Sequence, residues 1–126
     1  LIGGTVTLDS ASNNIGTIAG ESLTSLTYVD SNALTVGVVN PTGVAATGLI
    51  SISTVSGSLT ISEDITTSST ASNAIVLNAS SGTAAGTSSG GDIIITTSSA
   101  SATPALTTGT GGRVTMFSGS VSGSTG

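Results

Sequence analysis

Few side chains in this sequence could do chemistry, and each has a plainer role open to it. Gly86-Thr87-Ser88-Ser89-Gly90 has the spacing of a nucleophile elbow. That chemistry needs a strand-to-helix turn and a base to take the serine proton, and the chain has no His and no Lys. A Ser/Gly loop is the better reading. Glu63-Asp64 is the one adjacent acidic pair. Neighbouring strand residues face opposite ways, so these carboxylates would not converge on a glycosidic bond; a solvated corner is expected. Asp9 with Asn13 and Asn14, and Asp30 with Asn32, offer oxygen ligands at loop spacing. Calcium wants about six to eight oxygens, which neither group fills from side chains. Asp and Asn at corners, bonding their own backbone, fit better. Gly90-Gly91-Asp92 stands without the rest of a calcium-binding nonapeptide repeat. The sequence therefore predicts no catalytic residue, no cofactor and no metal site, and the enzyme class is set aside.

The remaining motifs are weaker still. Arg113 is the one basic side chain; it follows Gly112 and opens an apolar stretch, where an outward salt bridge or plain solvation would suit it. Asn78-Ala79-Ser80 is a formal glycosylation sequon without further support. Thr5-Val6-Thr7 and Thr108-Gly109-Thr110 are the only Thr-x-Thr triplets, too few for a flat ice-binding array, so they read as surface-strand threonine.

What must position these residues follows from composition. The 126 residues carry 24 Ser, 23 Thr and 18 Gly, with a net charge of −5 and no Cys. A disulfide framework, a thiolate and a His-based zinc site are all excluded. One Arg and no Lys leave no electrostatic footprint for nucleic acid and no polybasic membrane patch. Disorder, the other reading of a Ser/Thr/Gly-rich chain, needs low hydropathy and high charge. Here mean hydropathy is +0.48 and 6% of residues are charged. Ile75-Val76-Leu77 and Ile93-Ile94-Ile95 are far too short to span a bilayer, so no transmembrane segment is expected. With no signal-peptide pattern and Leu1 first, residues 1–126 read as a single segment of a longer repetitive chain or polymer, without separate domains.

The apolar pattern has period 2. Thr5-Val6-Thr7-Leu8, Leu34-Thr35-Val36, Ile50-Ser51-Ile52, Leu59-Thr60-Ile61 and Val114-Thr115-Met116 alternate aliphatic with hydroxyl residues, which predicts half-buried strands and no helix. A Gly or Asn, any residue, then two large apolar residues two apart recurs seven times, from Gly4, Asn32, Gly48, Gly57, Asn73, Gly91 and Gly112. Composition alone predicts about 1.6 such hits. The expected cause is a corner, where positive φ turns the chain into a strand. Strands centred near Val6, Leu26, Ser51, Val76, Ile94 and Thr115 suggest five or six coils of a parallel β-solenoid. Val36, Thr60 and Leu106 would mark second faces of those coils. A two-sheet sandwich fits the turn spacing too, but the small aliphatics and near absence of aromatics favour the narrow solenoid core.

Thr27-Tyr28-Val29-Asp30-Ser31-Asn32-Ala33-Leu34-Thr35-Val36-Gly37 through Val39-Asn40-Pro41-Thr42-Gly43 resembles repeats of filamentous-haemagglutinin-type exoproteins. Ser72-Asn73-Ala74-Ile75-Val76-Leu77-Asn78-Ala79 and the stretch from Thr108 to Gly123 are similar to them too. The resemblance implies a right-handed β-helix, an extracellular or cell-surface place in a Gram-negative bacterium, two-partner secretion, and a part in adhesion or matrix building. Asn40-Pro41-Thr42-Gly43 is similar to that family's secretion-domain motif. It sits between strands, however, and reads as a turn.

The function expected is structural: the β-solenoid shaft or filament of a secreted adhesin-like exoprotein, self-associating end to end or with neighbouring repeats. The alternative is a glycan- or surface-binding adhesin module displayed through Ser/Thr/Asn-rich loops, with Tyr28 as its one visible candidate for stacking on a sugar.

Overall fold

The computed structural model describes residues 1–84, 90–97 and 103–126. Among these residues the fold is all-β, with no helix. Twelve strands follow one another: β1 (Ile2–Leu8), β2 (Thr17–Ile18), β3 (Gly20–Asp30), β4 (Leu34–Val36), β5 (Val44–Ala46), β6 (Ile50–Thr54), β7 (Leu59–Ile61), β8 (Ile65–Thr67), β9 (Ile75–Ala79), β10 (Ile93–Ile95), β11 (Leu106–Thr107) and β12 (Val114–Ser118).

Every pairing between these strands is parallel. One sheet runs β11-β8-β5-β3-β6-β9-β12, with β1 also on β3; the other runs β10-β7-β4-β2. β3 is long enough to pair with β5 through its first residues and with β6 through its last, so it turns the larger sheet through a corner. The chain thus visits three positions in a fixed order and returns to each. Leu26 pairs with Ile50 and Ile50 with Ile75, at 24 and 25 residues, and Ile75 with Val114 at 39. Residues 85–89 and 98–102 fall within that last, longer return. Parallel pairing of this kind is compatible with a β-solenoid.

The alternation seen in the sequence explains the interior. In β6 and β9 every second side chain is buried, and register places Ile50 on Ile75 and Ile52 on Leu77. Leu34 on Leu59 and Val36 on Ile61 do the same in the smaller sheet. Like side chains stack on like, strand after strand, and each fully buried Ile or Leu contributes about 1.5–3 kcal/mol. The hydroxyls between them face outward, as in the column Thr17, Thr35, Thr60.

The structure corrects the placing of two strands. Ile94 lies on Thr60 in the smaller sheet and not above Val76, whose partner in β12 is Thr115. Five strands stack at the Leu26 position, β1, β3, β6, β9 and β12, joined by four returns among the described residues. Leu106 also joins the larger sheet, on Ile65, and not the Val36–Thr60 face. That third position, held by β5, β8 and β11, escaped the pattern for a physical reason. Its second inward site is filled by Ala46 and Thr67, which a rule seeking two large apolar residues passes over.

The corner chemistry is corrected as well. Of the seven Gly or Asn starts, only Gly4 and Gly57 have positive φ. Gly48 and Gly91 are needed because backbone lies against them. A Cβ on Gly48 would stand 2.7 Å from Thr24 O, and one on Gly91 would strike Gly57 O.

Candidate functional site at the two sheet ends

Among the described residues no strand pairs with the outer edge of β1 or of β2, and at the other end β12 and β11 are likewise paired on one side only. The inward aliphatic columns therefore run out at both ends of the stack. At the β1/β2 end they open a cavity of about 350 Å³, lined by Leu1, Leu8, Ile15, Ile18, Tyr28 and Val39 among others. At the β10/β12 end a cavity of about 330 Å³ is lined by Ile93, Ile95, Met116 and Val121 with three hydroxyl residues and Gly126. Six of the nine exposed large apolar side chains among the described residues line these cavities: Leu1, Leu8, Ile15 and Val39 at one end, Met116 and Val121 at the other. Such ends are chemically able to bind another apolar, strand-bearing surface.

At the β12 end the chain has begun to cover the smaller sheet. Thr125 makes a parallel bridge to Ile94, with Thr125 N donating to Ile93 O at 3.0 Å and Ile95 N to Thr125 O at 2.8 Å. Ser118, Ser120 and Ser124 knit this segment together, the Ser118 and Ser124 hydroxyls lying 2.6 Å apart.

One buried polar group lies near the β1/β2 cavity. Asp30, fully buried, ends β3. Its Oδ2 accepts from the Tyr28 hydroxyl at 2.8 Å and from Ile15 N at 2.9 Å, and its Oδ1 from Asn32 N at 2.9 Å. Three donors compensate for burying the carboxylate. The Tyr28 hydroxyl is pushed well above its ordinary range, first by burial and then by its hydrogen bond to Asp30 and that residue's negative charge.

The sequence candidates take structural places. Asp30 and Asn32 form the corner just described, and no cation need be invoked. Asn13 Nδ2 donates to Leu8 O at 2.9 Å and Val29 O at 3.0 Å, tying β1 to β3, while Asp9 is exposed. No group of three or more potential metal-binding residues occurs among the described residues. Asp64 is exposed and Oδ1 accepts from Ala105 N at 2.8 Å. Glu63 is less solvated than expected, with Oε1 buried and without a hydrogen-bond partner. Arg113 is exposed and makes no ion pair among the described residues. Gly86-Thr87-Ser88-Ser89 of the elbow-like motif lie outside the described residues. Asn40-Pro41-Thr42-Gly43 forms the turn between β4 and β5, with a cis Asn40–Pro41 peptide and Gly43 at φ +67°.

Tyr28 cannot serve as a sugar platform. It is 3% exposed, because its position in β3 points inward above Ile52. The exposed aromatic is Phe117, stacked on Asn78 at the outer face of β12. The end cavities and the Asp30 cluster were both missed by motif reasoning; the alternation of Val6 and Leu8, and of Val114 and Met116, was the available signal.

No family model matches this chain, and no curated protein or solved structure matches it either.

Proposed function

We propose that the chain is a length of β-solenoid whose work is structural: the shaft or filament of a secreted, cell-surface exoprotein of the filamentous-haemagglutinin type. The observation that carries this reading is the in-register stacking of inward aliphatics on parallel strands, Leu26 on Ile50 on Ile75 on Val114. Stacking of that kind pairs internal backbone groups with the strands on either side and seals the interior with small aliphatics. Such a body resists unfolding and proteolysis and can be lengthened without new chemistry. The hydroxyl-rich, weakly charged exterior suits close packing against neighbours. The acidic balance, with pI about 4.1, keeps separate segments soluble at neutral pH.

Diffraction from oriented native material tests the reading. Coils stacked along the filament give a reflection near ~4.8 Å parallel to the long axis. The same reflection perpendicular to that axis would defeat it.

A further inference from the structure

We infer that a groove on the outer face of the larger sheet, between β9 and β12, binds a neutral sugar ring. The site goes beyond the structural role and does not depend on it. A cavity of about 180 Å³ lies there, lined by Asn78, Ser80, Ser81, Thr83, Phe117 and Gly119 among others. Its two walls belong to successive returns of the chain, where Asn78 pairs with Phe117. It is therefore made between two paired strands and not by an unpaired edge. Outward side chains stand perpendicular to the sheet, so this groove faces away from the direction in which strands stack.

Phe117 supplies the flat surface. It is 53% exposed, whereas the one other aromatic, Tyr28, is buried. The negative face of its ring attracts the partly positive C–H groups on the apolar side of a pyranose. The Asn78 amide and the Ser81 and Thr83 hydroxyls beside it make no hydrogen bond among the described residues. Each can both donate and accept, which is what sugar hydroxyls require. The backbone fixes their places. Ser80, at φ 57°, turns the chain out of β9. Ser81 N donates to Thr54 O at 2.7 Å, and Thr83 N to Ser80 O at 2.9 Å. Across the groove, Gly119 N donates to Gly91 O at 3.0 Å. A site set before its ligand arrives loses less in ordering. Charge and size select the ligand. No charged side chain lines the groove among the described residues. Arg113 stands four residues before Phe117, about 13 Å along an extended chain. With a net charge of −5, the chain repels acidic sugars. The volume is below the ~300–1,000 Å³ of sites for larger ligands and suits a single ring.

Titration of the chain with the methyl glycosides of galactose, glucose and N-acetylglucosamine tests the site, read at the Asn78 side-chain amide by NMR. At least one glycoside should shift that signal, with a Kd of about 1 mM, as the contacts of one ring allow. N-acetylneuraminic acid should bind about tenfold more weakly. Phe117→Leu keeps an apolar side chain but removes the ring face, and should weaken binding about tenfold. Phe117→Trp should hold or strengthen it. Asn78→Ala should weaken it too, read by saturation transfer to the glycoside. Asn78 and Phe117 both point outward, and amide protection of β9 and β12 reports whether these strands survive each change. No shift at Asn78 with any of the three glycosides, at ten times the expected Kd, would overturn the site. Unchanged binding by Phe117→Leu would overturn the ring contact, and equal binding of the acidic sugar would overturn the choice of a neutral one.

Discussion

The Tyr28 hydroxyl donates to Asp30 Oδ2 at 2.8 Å, across one strand residue, with both side chains turned into the stack. A phenol and a carboxylate thus share the inward face of β3, where the neighbouring strand offers Ile52 and Thr54 at the same rungs. The carboxylate is held by the phenol on one side and by the Ile15 and Asn32 amides on the other.

Tyr28→Phe should therefore destabilise the fold by about 1–3 kcal/mol, although it removes only one oxygen. The loss comes from leaving Asp30 short of a donor, and not from packing, which the ring preserves. Urea denaturation of both proteins measures it.

The same pair predicts an alkaline limit to stability. Folded Tyr28 holds its proton more tightly than the unfolded chain, whose phenol titrates near 10.0. The stabilisation is fully present below pH 10.0 and is lost as pH rises beyond it toward the higher folded value. With a single Tyr and no Lys, Cys or His, no other side chain of a type that titrates near pH 10 is present to blur this range. Phenolate absorbance should appear together with unfolding, and in Tyr28→Phe the alkaline fall should shrink.

Inward and outward positions should separate cleanly under mutation. Ile52→Ala removes a fully buried side chain stacked on Leu77 and should cost about 2–5 kcal/mol. Ile94→Ala lies on the outward Thr column and should cost less than about 1 kcal/mol. Thermal melts of the two variants decide it; equal losses would contradict the register of β10.

This contrast shows how much of the fold could be read from residues. Alternation in Ile50-Ser51-Ile52 and Leu34-Thr35-Val36 fixed strand type and inward face, because each strand carries two large inward aliphatics; the spacing of the strands and the lack of aromatics, not the alternation, favoured parallel stacking over a sandwich. It failed in Ile93-Ile94-Ile95, where three aliphatics in a row hide which one points outward. It failed again at β5 and β8, where Ala46 is partly buried and Thr67 fully so; the Thr67 hydroxyl is satisfied by donating to Gly48 O at 2.6 Å. Residue order alone also could not show that Asp30 is buried, since its donors come from Ile15, fifteen residues earlier, as well as from next-door residues. The end cavities were invisible to motif reasoning because they are made by columns stopping, and not by any local pattern.

Glycine substitutions should divide by what lies overhead. Gly16 has open space around the position of a Cβ and an ordinary φ, so Gly16→Ala should be neutral or stabilise by up to about 1 kcal/mol. Gly91 sits against Gly57 O, and Ser80 Oγ accepts from its amide at 2.8 Å. Gly91→Ala must push two corners apart and should cost about 1–3 kcal/mol or more. Denaturation midpoints for the pair test whether close backbone stacking, and not positive φ, keeps glycine at this corner.

The stacked corner at Thr54 makes the most local test. Thr54 Oγ1 donates to Gly57 O at 2.8 Å and accepts from Ser80 N at 2.9 Å, so one hydroxyl joins two successive returns of the chain. Ser80 itself has φ 57°, an unfavourable backbone for a serine, and its hydroxyl donates to the same Gly57 O at 3.3 Å. Thr54→Val keeps the shape and deletes both bonds. It leaves Ser80 N unpaired in a buried place, and should cost about 1–3 kcal/mol. Thr54→Ser keeps the hydroxyl and should lose less. Faster amide exchange at Ser80 and Gly91 in Thr54→Val, with β7 unchanged, would mark the hydroxyl as the tie between neighbouring corners. Unchanged exchange at Ser80 would show that the backbone holds this corner without it.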